Sequence, residues 1–239
     1  KDIIIWSGGK INKINIDNKQ ITNIPFQVNE KIKLTKTHRV KRKVFEESFT
    51  SKMIKNAQTS PNGKSMIFTS LGHIYKKELP NGTPKRITNL TDFEAEPSFS
   101  PDGKSIVFVT WNDTELGAIY KINTDGSNLQ KLTKTKGIYR TPSFDNTGNK
   151  IVFRKEGGNG DQGFDYSKKT GIYIMTAEGT STKKITDSGE FPMFSADNKR
   201  IFLQTGGSFF GGLTKRLKSV NLYGKDEKTH FKSKLANRL

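Results

Sequence analysis

Apolar runs in this chain are short, rich in β-branched and aromatic residues, and bounded by turns. Ser105-Ile106-Val107-Phe108-Val109 reads as a buried strand. Ala118-Ile119-Tyr120-Lys121-Ile122 and Leu129-Gln130-Lys131-Leu132 read as two more. Ahead of them, a strand holding Pro97 runs into Pro101-Asp102-Gly103. There proline presets φ, and glycine accepts the left-handed conformation that closes a hairpin. Asp125-Gly126 turns the chain between the third strand and the fourth.

The unit recurs. Thr59-Ser60-Pro61-Asn62-Gly63, Phe99-Ser100-Pro101-Asp102-Gly103, Phe144-Asp145-Asn146-Thr147-Gly148 and Phe194-Ser195-Ala196-Asp197-Asn198 align, with starts 40, 45 and 50 residues apart. Asn198 stands where the others have glycine, and Asn tolerates the left-handed region well. An Ile-Tyr pair follows the first three turns, at Ile74-Tyr75, Ile119-Tyr120 and Ile172-Tyr173. A run ending in threonine follows each pair: Arg86-Ile87-Thr88, Lys131-Leu132-Thr133 and Lys184-Ile185-Thr186. Four antiparallel strands per repeat of this length define a propeller blade. Pro97, Pro142 and Pro192 recur in the first strand, and a sheet tolerates proline at an edge. In a propeller that edge lines the central channel.

The expected fold is therefore all-β, a β-propeller of four-stranded antiparallel blades, with about five blades across residues 1–239. Residues 2–27 supply three strands and lack the inner one; complete blades are expected at about 54–89, 93–134 and 138–187, and a fifth at about 189–232. Ala236-Asn237-Arg238-Leu239 looks like the opening of another inner strand. Either that tail closes a five-bladed ring on the first blade, or the chain is part of a larger propeller. So short a tail would be a weak clasp, which favours the larger ring. The chain begins at Lys1 rather than Met, as expected of a trimmed or excised segment.

Composition narrows the chemistry. No cysteine is present, which excludes disulfides and thiolate metal sites. The longest apolar stretch near the N-terminus, Ile3-Ile4-Ile5-Trp6, is far short of a membrane span. Lys and Arg number 41 against 23 Asp and Glu, a net charge of +18 that favours acidic partners without identifying one. Much of the excess lies in an insertion at about 29–53, at Lys31, Lys33, Lys36, Arg39, Lys41, Arg42 and Lys43. This reads either as a nucleic-acid or anionic-surface patch, or as a solvated extended segment whose Ile32, Leu34, Val40 and Val44 touch the blades. Nucleic acid fits less well, because bases stack on aromatic platforms and Phe45 and Phe49 lie beyond the basic run.

Other motifs carry little chemistry. Gly158-Asn159-Gly160-Asp161-Gln162-Gly163 satisfies G-x-G-x-x-G, but a dinucleotide site needs a helix there and Gly171–Met175 reads as a strand. Asp161 and Asp165 could offer hard oxygen ligands to calcium, although the spacing fits no EF-hand loop. His38, His73 and His230 are far apart, and G-x-S-x-G is absent, so no complete catalytic set is expected within this segment.

Surface geometry supplies the candidate site. The loops between second and third strands share one face with the starts of the first strands. They lengthen from Ser70–Gly72 through Thr110–Gly117 to Arg154–Gly171, and Thr205–Lys215 is also long. Trp111, Phe164, Tyr166, Phe209 and Phe210 are expected on them, with Glu94, Glu96, Arg140 and Glu190 near the channel mouth. Exposed aromatics on long loops suggest a docking surface.

At "FSPDGKSIVF", "IYKINTDG" and "QKLT" the chain resembles TolB- and tricorn-type propellers, over nearly its whole length outside the insertion. A narrower likeness, at "IIIWSGGKINKINI", "YSKKTGIYIM" and "THFKSKLANRL", is to the propeller preceding an amidohydrolase-type metal hydrolase domain in large exported bacterial proteins. That resemblance implies a non-catalytic docking or substrate-gating scaffold, a divalent metal only in the attached hydrolase domain, and a periplasmic or secreted setting. No ligand of that metal matches a position here. A free-standing TolB-like module that binds a protein or peptide is the alternative, and nucleic-acid binding by the basic insertion is the third reading.

Overall fold

The computed structural model describes residues 1–40, 47–159, 164–165, 167–206 and 214–234. The chain divides into two compact units, Lys1–Phe49 and Thr50–Leu239. Every regular element among the described residues is a strand, and no helix is long and apolar enough to cross a membrane.

The first unit holds one antiparallel sheet, β1 (Asp2–Ser7), β2 (Lys10–Asn15) and β3 (Ile21–Ile24), in that order. Gly8 and Gly9, both at positive φ, close the β1–β2 hairpin. This tight turn needs left-handed backbone at both central positions. Residues 25–40, after β3, form no regular element and are exposed. Ile32, Leu34 and Val40 are 74, 90 and 80% exposed.

The second unit holds four four-stranded antiparallel sheets, each in chain order. They are β4 (Lys55–Thr59) to β5 (Ser65–Ser70), β6 (His73–Glu78) and β7 (Lys85–Arg86), then β8 (Phe93–Phe99) to β9 (Ser105–Asn112), β10 (Leu116–Asn123) and β11 (Gln130–Lys131). The third sheet is β12 (Ile138–Phe144) and β13 (Lys150–Glu156) followed, beyond a small ribbon of β14 (Gly158–Asn159) and β15 (Phe164–Asp165), by β16 (Gly171–Thr176) and β17 (Lys183–Thr186). The fourth is β18 (Glu190–Phe194), β19 (Arg200–Thr205), β20 (Lys215–Asn221) and β21 (Lys228–Ser233).

The two middle sheets use both faces. In β9, Ile106 and Phe108 pack with Ile67 and Ile74 of the preceding sheet, while Val107 and Val109 pack with Tyr139, Ile151 and Phe153 of the next. Val152 turns the opposite way from Ile151 and meets Ile172, Ile201, Leu203 and Val220. Alternation along one strand thus glues a sheet to two neighbours, and each such buried side chain contributes about 1.5–3 kcal/mol. The Ile-Tyr pairs add a second repeated contact, stacking Phe68 on Tyr75, Phe108 on Tyr120 and Phe153 on Tyr173 at 5.9, 5.8 and 5.7 Å. In the last sheet Ser219 stands opposite Phe202. His230 supplies the missing ring, 5.0 Å from Phe202, and hydrogen-bonds Ser219 at 2.7 Å.

The repeated turns share one hydrogen-bond plan. Ser100 Oγ donates to Asp102 Oδ1 at 2.6 Å and accepts the Ser105 amide at 2.9 Å, while Asp102 Oδ1 accepts the Lys104 amide at 3.0 Å. Ser60 with Asn62 and Ser195 with Asp197 repeat it. In the third turn Asp145 replaces the serine and accepts the amides of Asn149 and Lys150. Asn198 takes φ of 57°. Its side chain also accepts the Asn146 amide at 3.0 Å, tying two neighbouring turns together.

Candidate functional site

The first strands β4, β8, β12 and β18 carry a register shift at one shared position, between Lys55 and Gln58, Ala95 and Ser98, Arg140 and Ser143, and Glu190 and Met193. Such a bulge bends the strand and re-aims its side chains. The residue inside each bulge has positive φ: Asn56 at 51°, Glu96 at 52°, Thr141 at 47° and Phe191 at 48°. Pro97, Pro142 and Pro192 follow three of them, where no ladder donor is required. The four bulges converge on a cavity of about 310 Å³ lined by Gln58, Ser98, Ser143 and Met193 among others. This is the central channel, and proline marks its wall as expected.

At one end of the channel the bulges position charge. Glu96 Oε1 accepts Arg140 Nε at 2.9 Å and Nη2 at 2.6 Å, and its Oε2 accepts the Thr141 amide at 2.5 Å. Glu96 therefore clamps its own sheet to the next. Arg140 is held protonated even more firmly than a free guanidinium, first through the Glu96 hydrogen bond. The chain of charges continues from Arg140 to Glu156 at 4.0 Å, Glu156 to Arg154 at 3.0 Å, Arg154 to Glu190 at 3.6 Å and Glu190 to Lys215 at 2.7 Å. Three carboxylates and three cations alternate across three sheets. Lys215 is buried, and a buried ammonium demands such a partner.

Beside this network lies a cleft of about 810 Å³. Phe93, Ala95, Val109, Trp111, Ile138 and Tyr139 give it apolar walls, and Lys55, Glu96, Arg140 and Glu156 stand among them. Trp111 Nε1 donates to Asp113 at 2.9 Å. Burial pushes the Tyr139 phenol up from its ordinary pKa, while its hydroxyl donates to the Thr135 carbonyl at 2.6 Å. A concave apolar wall with a few fixed charges is how binding clefts orient a ligand.

The sequence-derived candidates fall into three groups. Glu96, Arg140 and Trp111 line this cleft, and Glu190 lies along the charge network. Trp111 is in β9 rather than on a loop, paired with Phe93 and Gly117. The strand runs further than expected because Asn112 Oδ1 accepts the amides of Thr114 and Glu115, tightening the hairpin to three residues, 113–115. Glu94 is not on an open face. It is fully buried between two sheets, accepting the Ile74 amide at 2.8 Å and Arg86 Nη2 at 3.3 Å, with the Thr88 hydroxyl donating as well. Expected near the channel mouth, it is instead a structural clamp, held by its hydrogen bonds.

Tyr166, Phe209, Phe210 and Asp161 lie outside the described residues, as do Lys41, Arg42 and Lys43. Phe164 and Asp165 form β15 against β14 through their backbone. The ribbon shows why the glycine motif is not a dinucleotide site, since a strand stands where a helix would be needed. No cluster of three or more His, Asp or Glu side chains able to hold a metal occurs among the described residues. Phe93, Ile138, Tyr139, Glu156 and Lys215 were not singled out from sequence. The signal was available in the register, because the start of each first strand faces the end of the second, as in Phe93 with Trp111 and Ile138 with Glu156.

Four-stranded sheets converging on a channel, with a cleft at its mouth, define a β-propeller. Residues 12–168 match the TolB beta propeller domain, and the chain belongs to that family. A protein assigned as TolB from Agrobacterium tumefaciens is similar in fold, with 19% identity over 97% of this chain and 77% of that one and a TM-score of 0.60. TolB from Acinetobacter baumannii shows 21% identity over 92% of this chain and 48% of that one, TM-score 0.55. The tricorn protease shows 15% over 96% of this chain and 20% of that one, TM-score 0.53. At these identities the likeness is one of fold. No curated protein matches the chain.

Proposed function

We propose that this propeller is a non-catalytic docking module that seats an extended peptide or protein segment in the cleft at its channel mouth. The observation that carries the reading is the cleft itself, with Phe93, Trp111, Ile138 and Tyr139 as apolar anchors beside Arg140 and Glu156. Aromatic anchors in such hollows dominate binding energy. Peptides selected by phage display on the immobilised chain should lose about tenfold or more in affinity on Trp111→Ala or Phe93→Ala. Selected peptides that bind both variants as tightly as the parent would place the docking site elsewhere.

In the fuller form of the proposal the partner is a metal-dependent amidohydrolase-type domain of the same exported polypeptide, and the propeller gates its substrates. The support is the resemblance of residues 3–16, 166–175 and 229–239 to such propellers. Removing the propeller from that polypeptide should change kcat/KM for bulky amides more than for small ones. Equal effects exclude gating, and a chain that works as a free-standing interaction module, as family membership also supports, would then be the better reading. A periplasmic or secreted setting belongs to the same proposal and is checked by cell fractionation.

A further inference from the structure

Residues 25–40, which follow β3, form neither strand nor helix and are exposed throughout. Lys31, Lys33, Thr35, Thr37 and Arg39 alternate with Ile32, Leu34, Lys36, His38 and Val40. In extended backbone that alternation sends most of the cations to one side and the aliphatics to the other. The aliphatics are among the most exposed large apolar residues described, at 74, 90 and 80% for Ile32, Leu34 and Val40, with Val28 at 74% and Phe26 at 57%. Among the described residues, Lys31, Lys33, Lys36 and Arg39 make no ion pair or hydrogen bond. By contrast, Lys13, Lys76, Lys136, Lys215 and Lys218 each hold a carboxylate. No acidic residue occurs between Glu30 and Glu46.

We infer that this segment is a peripheral binding strip for an anionic lipid surface, a role separate from the docking cleft. Phosphate-bearing headgroups supply the charge that four unpaired cations lack. The acyl boundary just beneath covers the aliphatic side, and long Lys and Arg stems reach the headgroup plane from an inserted backbone. Nucleic acid fits less well. It would satisfy the cations but leave Ile32, Leu34 and Val40 in water, and residues 27–40 hold no Phe, Tyr or Trp for a base to stack on.

The test is sedimentation of the full chain with vesicles of phosphatidylcholine alone or mixed with phosphatidylglycerol. Binding is expected to the mixed vesicles only, and to weaken as salt screens the headgroups. Changing Lys31, Lys33, Lys36 and Arg39 together to Gln should reduce partitioning by about a hundredfold or more, given roughly fivefold per cation. Ile32→Ser, Leu34→Ser and Val40→Ser together should also release the chain, although net charge is unchanged. Both variants should melt with the parent protein, because the replaced side chains are exposed. Equal sedimentation with both kinds of vesicle, or full retention of the triple serine variant, overturns the inference. So does tighter binding to a single-stranded oligonucleotide than to the vesicles.

Discussion

Glu94 shows what one side chain can hold. Its carboxylate is buried, and it gathers the Ile74 amide, the Thr88 hydroxyl and the Arg86 guanidinium from the preceding sheet. Glu94→Ala would leave the buried Ile74 amide and Thr88 hydroxyl without that acceptor, at a cost of about 1–3 kcal/mol. Glu115→Ala, which frees only the exposed Lys136, should stay within about 0.5 kcal/mol. Urea denaturation of the two variants reads the difference, and equal midpoints would contradict the clamp. Asp102 acts through protons. The Ser100 hydroxyl first, and the Lys104 amide second, hold its carboxyl below the ordinary 3.8. A depressed carboxyl stabilises the fold above its unfolded pKa and loses that contribution as pH falls through the folded value. Asp102→Asn should therefore flatten the loss of melting temperature below about pH 4. An unchanged acid limb would show that the turn does not draw on the charge. Proline and glycine made this turn legible in the sequence. The role of Ser100 was not, because a hydroxyl finds its acceptor only once the turn has formed.

At the scale of the element, the outer turns join one sheet to the next. Gly224 lies between β20 and β21 at φ of 74°, and a Cβ there would run into the Ile185 carbonyl of the preceding sheet. Gly126 and Gly179 face the carbonyls of Ile87 and Leu132 in the same way. Gly63 has φ of 70° but open space around it. Gly63→Ala should thus cost only left-handed strain, about 1–2 kcal/mol. Gly224→Ala should cost a further 1–3 kcal/mol or so because the backbone must shift. Thermal melts that rank the two equally would contradict the close approach. The strands themselves were readable as short apolar runs bounded by turns, as Ser105-Ile106-Val107-Phe108-Val109 within β9 shows. Two features were not. Trp111 belongs to β9 because Asn112 caps a tighter hairpin, and His230 fills a ring position that Ser219 leaves empty. Both depend on partners that sequence spacing alone does not bring together.

At the scale of the second unit, four sheets share three packed interfaces, so the two middle sheets have both faces covered by neighbours. Three hydrophobic clusters, each shared by two consecutive sheets, do the covering. The repeat was plain in the sequence because every copy solves the same packing problem. The cleft was only half legible. Glu96, Arg140 and Trp111 belong to it, but Phe93, Ile138 and Tyr139 come to it through register between strands. Radial arrangement is the claim beneath all of this, and the absence of cysteine makes it directly measurable. Spin labels on Gln58 and Met193 report the inner strands of the first and last sheets of this unit, which line one cavity. Labels on Lys85 and Lys228 report the outer strands β7 and β21 of the same two sheets. Double electron–electron resonance should give an inner separation well below the outer one. Sheets stacked in a line would place both pairs at the same distance, about 30 Å for three spacings of about 10 Å, and that result would contradict the propeller.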